Sequence, residues 1–99
     1  MEDPISPDAI GKRLRAVRMA IGTTQEQFAA GIGATQGGFG QYEAGMRRPS
    51  VIIASALCTV YGLTLDFIYR GDRRGLSPAM LKSLAELLPE SVGAAESEE

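Results

Sequence analysis

Hydrophobic residues recur every three or four positions along most of this chain, the period of an α-helix rather than a strand. Ser6-Pro7-Asp8 supplies an N-cap, a proline at the first helical position and an early acid, and Ile10, Leu14, Val17 and Ile21 then share one face until Gly22. Thr24-Gln25-Glu26-Gln27 has the form of a capping box, so a second helix is predicted from Gln25 to Ile32, stopped by Gly33. Thr35 caps a third helix that runs to Ala44 and ends at Gly45. Residues 46–49 read as a loop, because Pro49 turns Arg48 away from helical geometry. Ser50 opens a fourth helix with Val51, Ala54, Leu57, Cys58 and Tyr61 on one side, closed by Gly62. Thr64 starts a short fifth one carrying Leu65, Phe67 and Ile68. Beyond a polar stretch, Ser77-Pro78 opens a sixth segment with Leu81, Leu84, Leu87 and Leu88, ended by Pro89. No stretch alternates with period two for long enough to pair strands, so the predicted fold class is all-α.

The second and third helices are placed to cross. A tight, steep crossing needs a small contact residue, a turn that accepts positive φ, and apolar residues on both inner faces. Ala29 is the small residue and Gly33 the turn. Phe28, Ile32, Phe39 and Tyr42 form the apolar set, with Phe39 and Tyr42 three apart on one face. The segment from Thr24 to Gly45 is therefore a helix-turn-helix.

With 99 residues and 44% hydrophobic content, the chain supports one compact domain with a modest core. Its formal charge of −2 and pI near 5.1 speak against nucleic acid only if the charge is evenly spread. It is not. Between Ile10 and Ser50 stand Lys12, Arg13, Arg15, Arg18, Arg47 and Arg48 against Glu26 and Glu43, a local surplus of four positive charges. The acid lies at the ends, in Glu2, Asp3 and Asp8 and in Glu90, Glu96, Glu98 and Glu99. The expected organisation is a flexible lead-in at 1–5, a helix-turn-helix domain at 6–71, a linker at 72–76, an amphipathic helix at 77–88 and an acidic, disordered tail at 89–99. The lone Cys58 sits in an apolar run and points to a reducing compartment, and no stretch is apolar enough to span a membrane. The expected location is cytoplasmic, on the nucleoid.

At this point the chain resembles the phage-repressor or Cro-like helix-turn-helix domains of bacterial and phage regulators, the xenobiotic-response-element type. The resemblance covers about Ile10 to Gly71. It is carried by Leu14, Arg18, Gly22, Thr24-Gln25-Glu26-Gln27-Phe28-Ala29, Gly33, Thr35, Phe39, Tyr42-Glu43, Gly45, Pro49, Leu57-Cys58 and Gly62-Leu63. It implies a five-helix bundle, here with a sixth helix appended, whose third helix enters the major groove of double-stranded DNA. By the same resemblance Gln36 and Gln41 face base edges, and Gln25, Arg47 and Arg48 face phosphates; Gly37 is expected to join the base-reading set, and Thr35 and Lys12 the phosphate set. A glutamine amide suits adenine, since it both donates and accepts. Arg18 and Glu43 match a family ion pair joining the first helix to the third. Regulators of this type read two half-sites ~34 Å apart as dimers, and the stripe Leu81, Leu84 and Leu88 is the expected homodimer interface, with packing onto its own domain as the alternative.

The third helix departs from that pattern. Gly37, Gly38 and Gly40 weaken it by roughly 2 kcal/mol in total relative to alanine. With Phe39 and Tyr42 inward, the outward face is Gln36, Gly37, Gly40, Gln41 and Ala44, so few side chains reach a groove. Three readings stay open: close approach with DNA shape doing more of the selection, ordering on DNA, or a protein partner in place of DNA. Lys12, Arg13 and Arg15 are either phosphate contacts or a solvated helix face. Arg70, Arg73 and Arg74 extend that track or serve solubility. Catalysis lacks its parts, with no histidine, no second cysteine, no clustered carboxylate pair and no phosphate loop after a strand. No cofactor, metal or enzymatic activity is expected.

Overall fold

The computed structural model describes residues 3–89, and the acidic tail expected at 89–99 lies outside them except for Pro89. Six helices follow in order: α1 (Pro7–Ile21), α2 (Gln25–Gly31), α3 (Gln36–Glu43), α4 (Val51–Tyr61), α5 (Leu65–Arg70) and α6 (Pro78–Leu87). There is no strand among the described residues, so the fold is all-α as the periodicity predicts.

Each helix starts on a serine or threonine in extended geometry whose oxygen accepts a backbone amide three residues on. Ser6 accepts from Ala9 at 3.0 Å, Thr24 from Gln27 at 3.1 Å and Thr35 from Gly38 at 3.0 Å. Ser50 accepts from Ile53 at 3.2 Å, Thr64 from Phe67 at 2.9 Å and Ser77 from Met80 at 3.1 Å. Each cap is worth about 1 kcal/mol, which matters most to helices as short as α2 and α5. The helix ends fall within a residue of the spacing-based limits: α2 stops at Gly31 with Ile32 as its cap, and α3 stops at Glu43. Gly33 takes φ +73°, a value side chains resist, and this reverses the chain between α2 and α3.

The core is one cluster shared by all six helices. Phe28, Phe39, Phe67, Ile10, Leu14, Leu57, Ile68, Leu84 and Val17 are its largest fully buried side chains. Phe28 of α2 and Phe39 of α3 meet at 5.0 Å between ring centroids, while Tyr61 of α4 lies flat on Phe28 at 4.0 Å. The Tyr61 hydroxyl donates to the Phe28 carbonyl at 2.8 Å and passes over Gly31, where a Cβ would sit 2.3 Å from it.

An apolar stripe and a basic residue, each with two readings left open by the sequence, are both used inside the chain. Leu84 is fully buried in its own domain, and Leu81 and Leu88 pack partly buried on the same core, so this stripe covers α1 rather than a second copy. Arg13 is buried as well, donating Nη1 to the Ile68 carbonyl at 2.8 Å and Nη2 to the Pro4 carbonyl, which removes it from any phosphate track. The Pro4 bond also holds down the described part of the lead-in that composition marked as flexible. Between α5 and α6, Leu76 is buried and Arg73 donates to the Leu88 carbonyl. On the exposed side of that stretch, the Arg74 guanidinium holds the Asp72 carboxyl well below the usual carboxylate range.

Gly11 is the closest approach of α1 to α3. A Cβ there would lie 2.3 Å from the Tyr42 carbonyl oxygen and 2.9 Å from that of Glu43, both of them backbone atoms that cannot turn aside. Gly11→Ala is expected to destabilise the fold by about 1 to 3 kcal/mol through overpacking, read as a lower denaturant midpoint with an unchanged slope.

Candidate nucleic-acid interface

The crossing of α2 and α3 leaves one face of α3 outside. Gln36, Gly37, Gln41 and Ala44 are exposed and Gly40 is half-buried, whereas Phe39 and Tyr42 are buried. Thr35 caps the same helix; its oxygen accepts from the Gly38 amide, and its hydroxyl hydrogen is left for another acceptor.

Beside this face stands Gln25, the first residue of α2. Its Nε2 donates to Glu43 Oε1 at 2.9 Å, so the amide is held in one orientation over α3. Glu43 in turn accepts from Arg18 Nε at 2.7 Å and from Arg18 Nη2 at 3.1 Å. Arg18 also donates Nη1 to the Thr23 carbonyl at 3.1 Å, just ahead of α2. The Glu43 side chain is 5% exposed and that of Arg18 16%. The hydrogen bond to Glu43 raises the Arg18 pKa further, with burial opposing it. One carboxylate thus joins α1, the start of α2 and the end of α3.

The loop after α3 carries the other cations. Arg47 stands over the Tyr42 ring at 5.4 Å from its centroid, a cation–π distance. Arg48 Nε donates to the Ile5 carbonyl at 2.7 Å. The far end of the loop is pinned by Tyr69, whose hydroxyl donates to the Pro49 carbonyl at 2.8 Å. Burial raises the Tyr69 pKa, so the phenol stays a donor at neutral pH.

Lys12, the remaining residue expected to face phosphate, is exposed on α1. It pairs with Asp8 at 3.3 Å and shares a shallow depression with Arg15, Ala16, Met19, Leu87 and Leu88. That face of α1 is turned to α6, while Gly11 and Arg18, seven apart, face α3. Gln36, Gly37, Gln41, Gln25, Thr35, Arg47 and Arg48 belong to α2, α3 and the loop that follows. Three supports of this surface have no short-range signature: the Gln25–Glu43 bond, the Tyr69–Pro49 bond and the Arg48–Ile5 bond join residues 18, 20 and 43 apart. No periodic pattern covers such separations.

A short helix ended by a left-handed glycine, crossed by a second helix with an exposed polar face, defines the helix-turn-helix class. The helix-turn-helix family profile, of the Cro/C1 type, matches residues 14–68, more than half of the chain, and the chain belongs to that family. It is also 33% identical over 61 residues to the SPbeta prophage-derived uncharacterized HTH-type transcriptional regulator YonR of Bacillus subtilis (strain 168). The match covers 62% of this chain and 56% of that relative, so the chain aligns with little more than half of the relative's length. No solved structure matches significantly.

Two substitutions test this geometry. Glu43→Ala leaves the Arg18 guanidinium buried without its carboxylate, and a loss of about 3 kcal/mol in chemical denaturation is expected. Gly37→Ala meets nothing within 4 Å and should stabilise the protein by about 0.5 to 1 kcal/mol, because glycine at this position is not needed for packing. A lower melting temperature for Gly37→Ala would contradict the open space around it.

Proposed function

We infer that this chain is a sequence-specific, duplex-DNA-binding transcriptional regulator that lays α3 into the major groove. The observation that carries the reading is the arrangement around α3. Two glutamines project from its exposed face, flanked by an orientation-locked glutamine at the start of α2 and by two arginines on a pinned loop. Gln36 and Gln41 read base edges, with adenine as the matching partner. Gln25, Thr35, Arg47 and Arg48 contact phosphates and set the register, which carries affinity but little sequence information. Family membership and the name of the prophage relative support the same assignment. With so few side chains at the groove, DNA shape and deformability contribute a large share of the selection.

Two half-sites about one turn of DNA apart call for a dimer, and its interface is not the buried Leu84 stripe. Among the described residues the most exposed large apolar side chains are Ile52, Met46 and Val51, at 81%, 71% and 69% exposure. They lie next to the arginine loop and are the available surface for a second copy. The same exposure favours the second reading, a protein-interaction module such as an antitoxin or co-regulator on this fold, with little DNA binding.

A salt titration on duplex DNA separates the two. Affinity for random-sequence duplex is expected to fall steeply as salt rises, through counterion release. Arg47→Ala should weaken binding to all sequences alike and lower the salt slope by about one, whereas Gln36→Ala or Gln41→Ala should flatten preference among sites. Absence of binding at low salt would overturn the DNA-binding reading and favour the interaction module instead.

A further inference from the structure

The segment that leads into α1 is tied at two consecutive carbonyls to two arginines with different surroundings. Arg13, buried between α1 and α5, donates to the Pro4 carbonyl while its other amino group holds the Ile68 carbonyl. One residue on, the Ile5 carbonyl accepts from Arg48 Nε at 2.7 Å. Asp3 closes the segment on itself, its carboxylate accepting from the Ile5 amide and its carbonyl from the Ser6 amide, both at 3.1 Å. Asp8 then backs onto Gly45, where a Cβ would lie 3.1 Å from the Asp8 Cα. The loop that carries Arg47 and Arg48 is therefore braced by Tyr69 at Pro49 and by the lead-in segment on Arg48 itself.

We propose that residues 3–5 are a positioning element for phosphate contact: Arg13 fixes Pro4, and the Ile5 carbonyl presents the Arg48 guanidinium to the DNA backbone. The inference rests on the DNA-binding reading above. Its chemistry is specific to arginine. A guanidinium offers five N–H donors on a planar fork, so the Nε edge can hold a carbonyl while both amino groups grip a phosphate. A lysine keeps the charge but has a single nitrogen on a flexible stem, and it loses the fixed geometry. The bond lies at the surface, with Arg48 exposed and Ile5 47% exposed, so it contributes to orientation more than to folding. Arg13 is then a positioning residue, which accounts for an arginine rather than a hydrophobic residue at a buried site.

The test measures binding of the full chain to random-sequence duplex DNA across a salt series, with thermal unfolding of each variant in parallel. Arg48→Lys is expected to weaken binding between about threefold and tenfold, the cost of ordering one long side chain on association, and Arg48→Ala by at least as much because the charge is lost as well. The melting temperature of Arg48→Lys should stay that of the parent. Arg47→Lys, whose ammonium can still sit over Tyr42, should retain most of the affinity. Loosening the lead-in with Pro4→Gly plus Ile5→Gly should weaken binding by a similar factor and, in that background, Arg48→Lys should cost nothing further. Parental affinity for Arg48→Lys overturns the proposal, as does an undiminished Arg48→Lys penalty in the loosened chain. If the parent chain itself fails to bind at low salt, the DNA-binding reading falls first and this inference with it, a result distinct from the other two.

Discussion

The Glu43 carboxylate is where the architecture closes. Taking an ionised group to 5% exposure is costly unless its oxygens are occupied, and here a two-pronged Arg18 and the Gln25 amide occupy them. Those partners come from α1 and the first turn of α2, so one charge holds three helices in register. The arrangement also needs α1 and α3 in backbone contact, which only the absence of a side chain at Gly11 permits. Without the carboxylate, the aromatic contact of Phe28 with Phe39 still joins α2 to α3, but the polar tie to α1 is reduced to the Arg18 bond on the Thr23 carbonyl ahead of α2. No buried side-chain polar atom among the described residues lacks a hydrogen-bond partner, so the cost of burying these groups is met locally.

Much of the fold was legible in the sequence because its signals are short-range. Six serine or threonine caps, two helix-opening prolines at Pro7 and Pro78, and the glycine stops each act within four residues, and they place the helices to within about one residue. The Arg18–Glu43 contact was accessible too, but through family resemblance rather than spacing. What escaped was the fate of long, amphipathic or basic side chains. Arg13 and Arg15 stand two apart on one helix, with nothing local to say that one is buried against Ile68 and Pro4 while the other is exposed. The leucine stripe of α6 has the same pattern whether it meets α1 or another protein. Deciding between these needs the tertiary path of the chain, which brings Leu76 and Leu84 back onto the core.

Three glycines of this region illustrate how one residue type serves distinct physical ends. Gly33 is required by its positive φ, and Gly11 by a carbonyl oxygen 2.3 Å from where a side chain would begin. Gly37 is required by neither: it is helical, exposed and surrounded by open space, and it lowers the stability of the helix that faces outward. The frame tolerates that weakness because α3 is fastened at both ends, by the Thr35 cap at its start and the Glu43 hub at its finish.

This distribution shapes how such a surface can recognise a nucleic acid. Side chains that would reach bases are few, whereas the groups proposed to meet phosphates are each held from behind: Gln25 by Glu43, Arg47 by the Tyr42 ring, Arg48 by the Ile5 carbonyl, and the loop by Tyr69. Ordering a long side chain before contact removes an entropic cost from association. In the proposed DNA-binding reading, a recognition helix with little direct reading capacity is coupled to a rigid phosphate grip, and rigidity is what makes backbone shape informative. A compliant grip would follow any duplex, but a fixed one penalises those whose phosphates do not match its spacing.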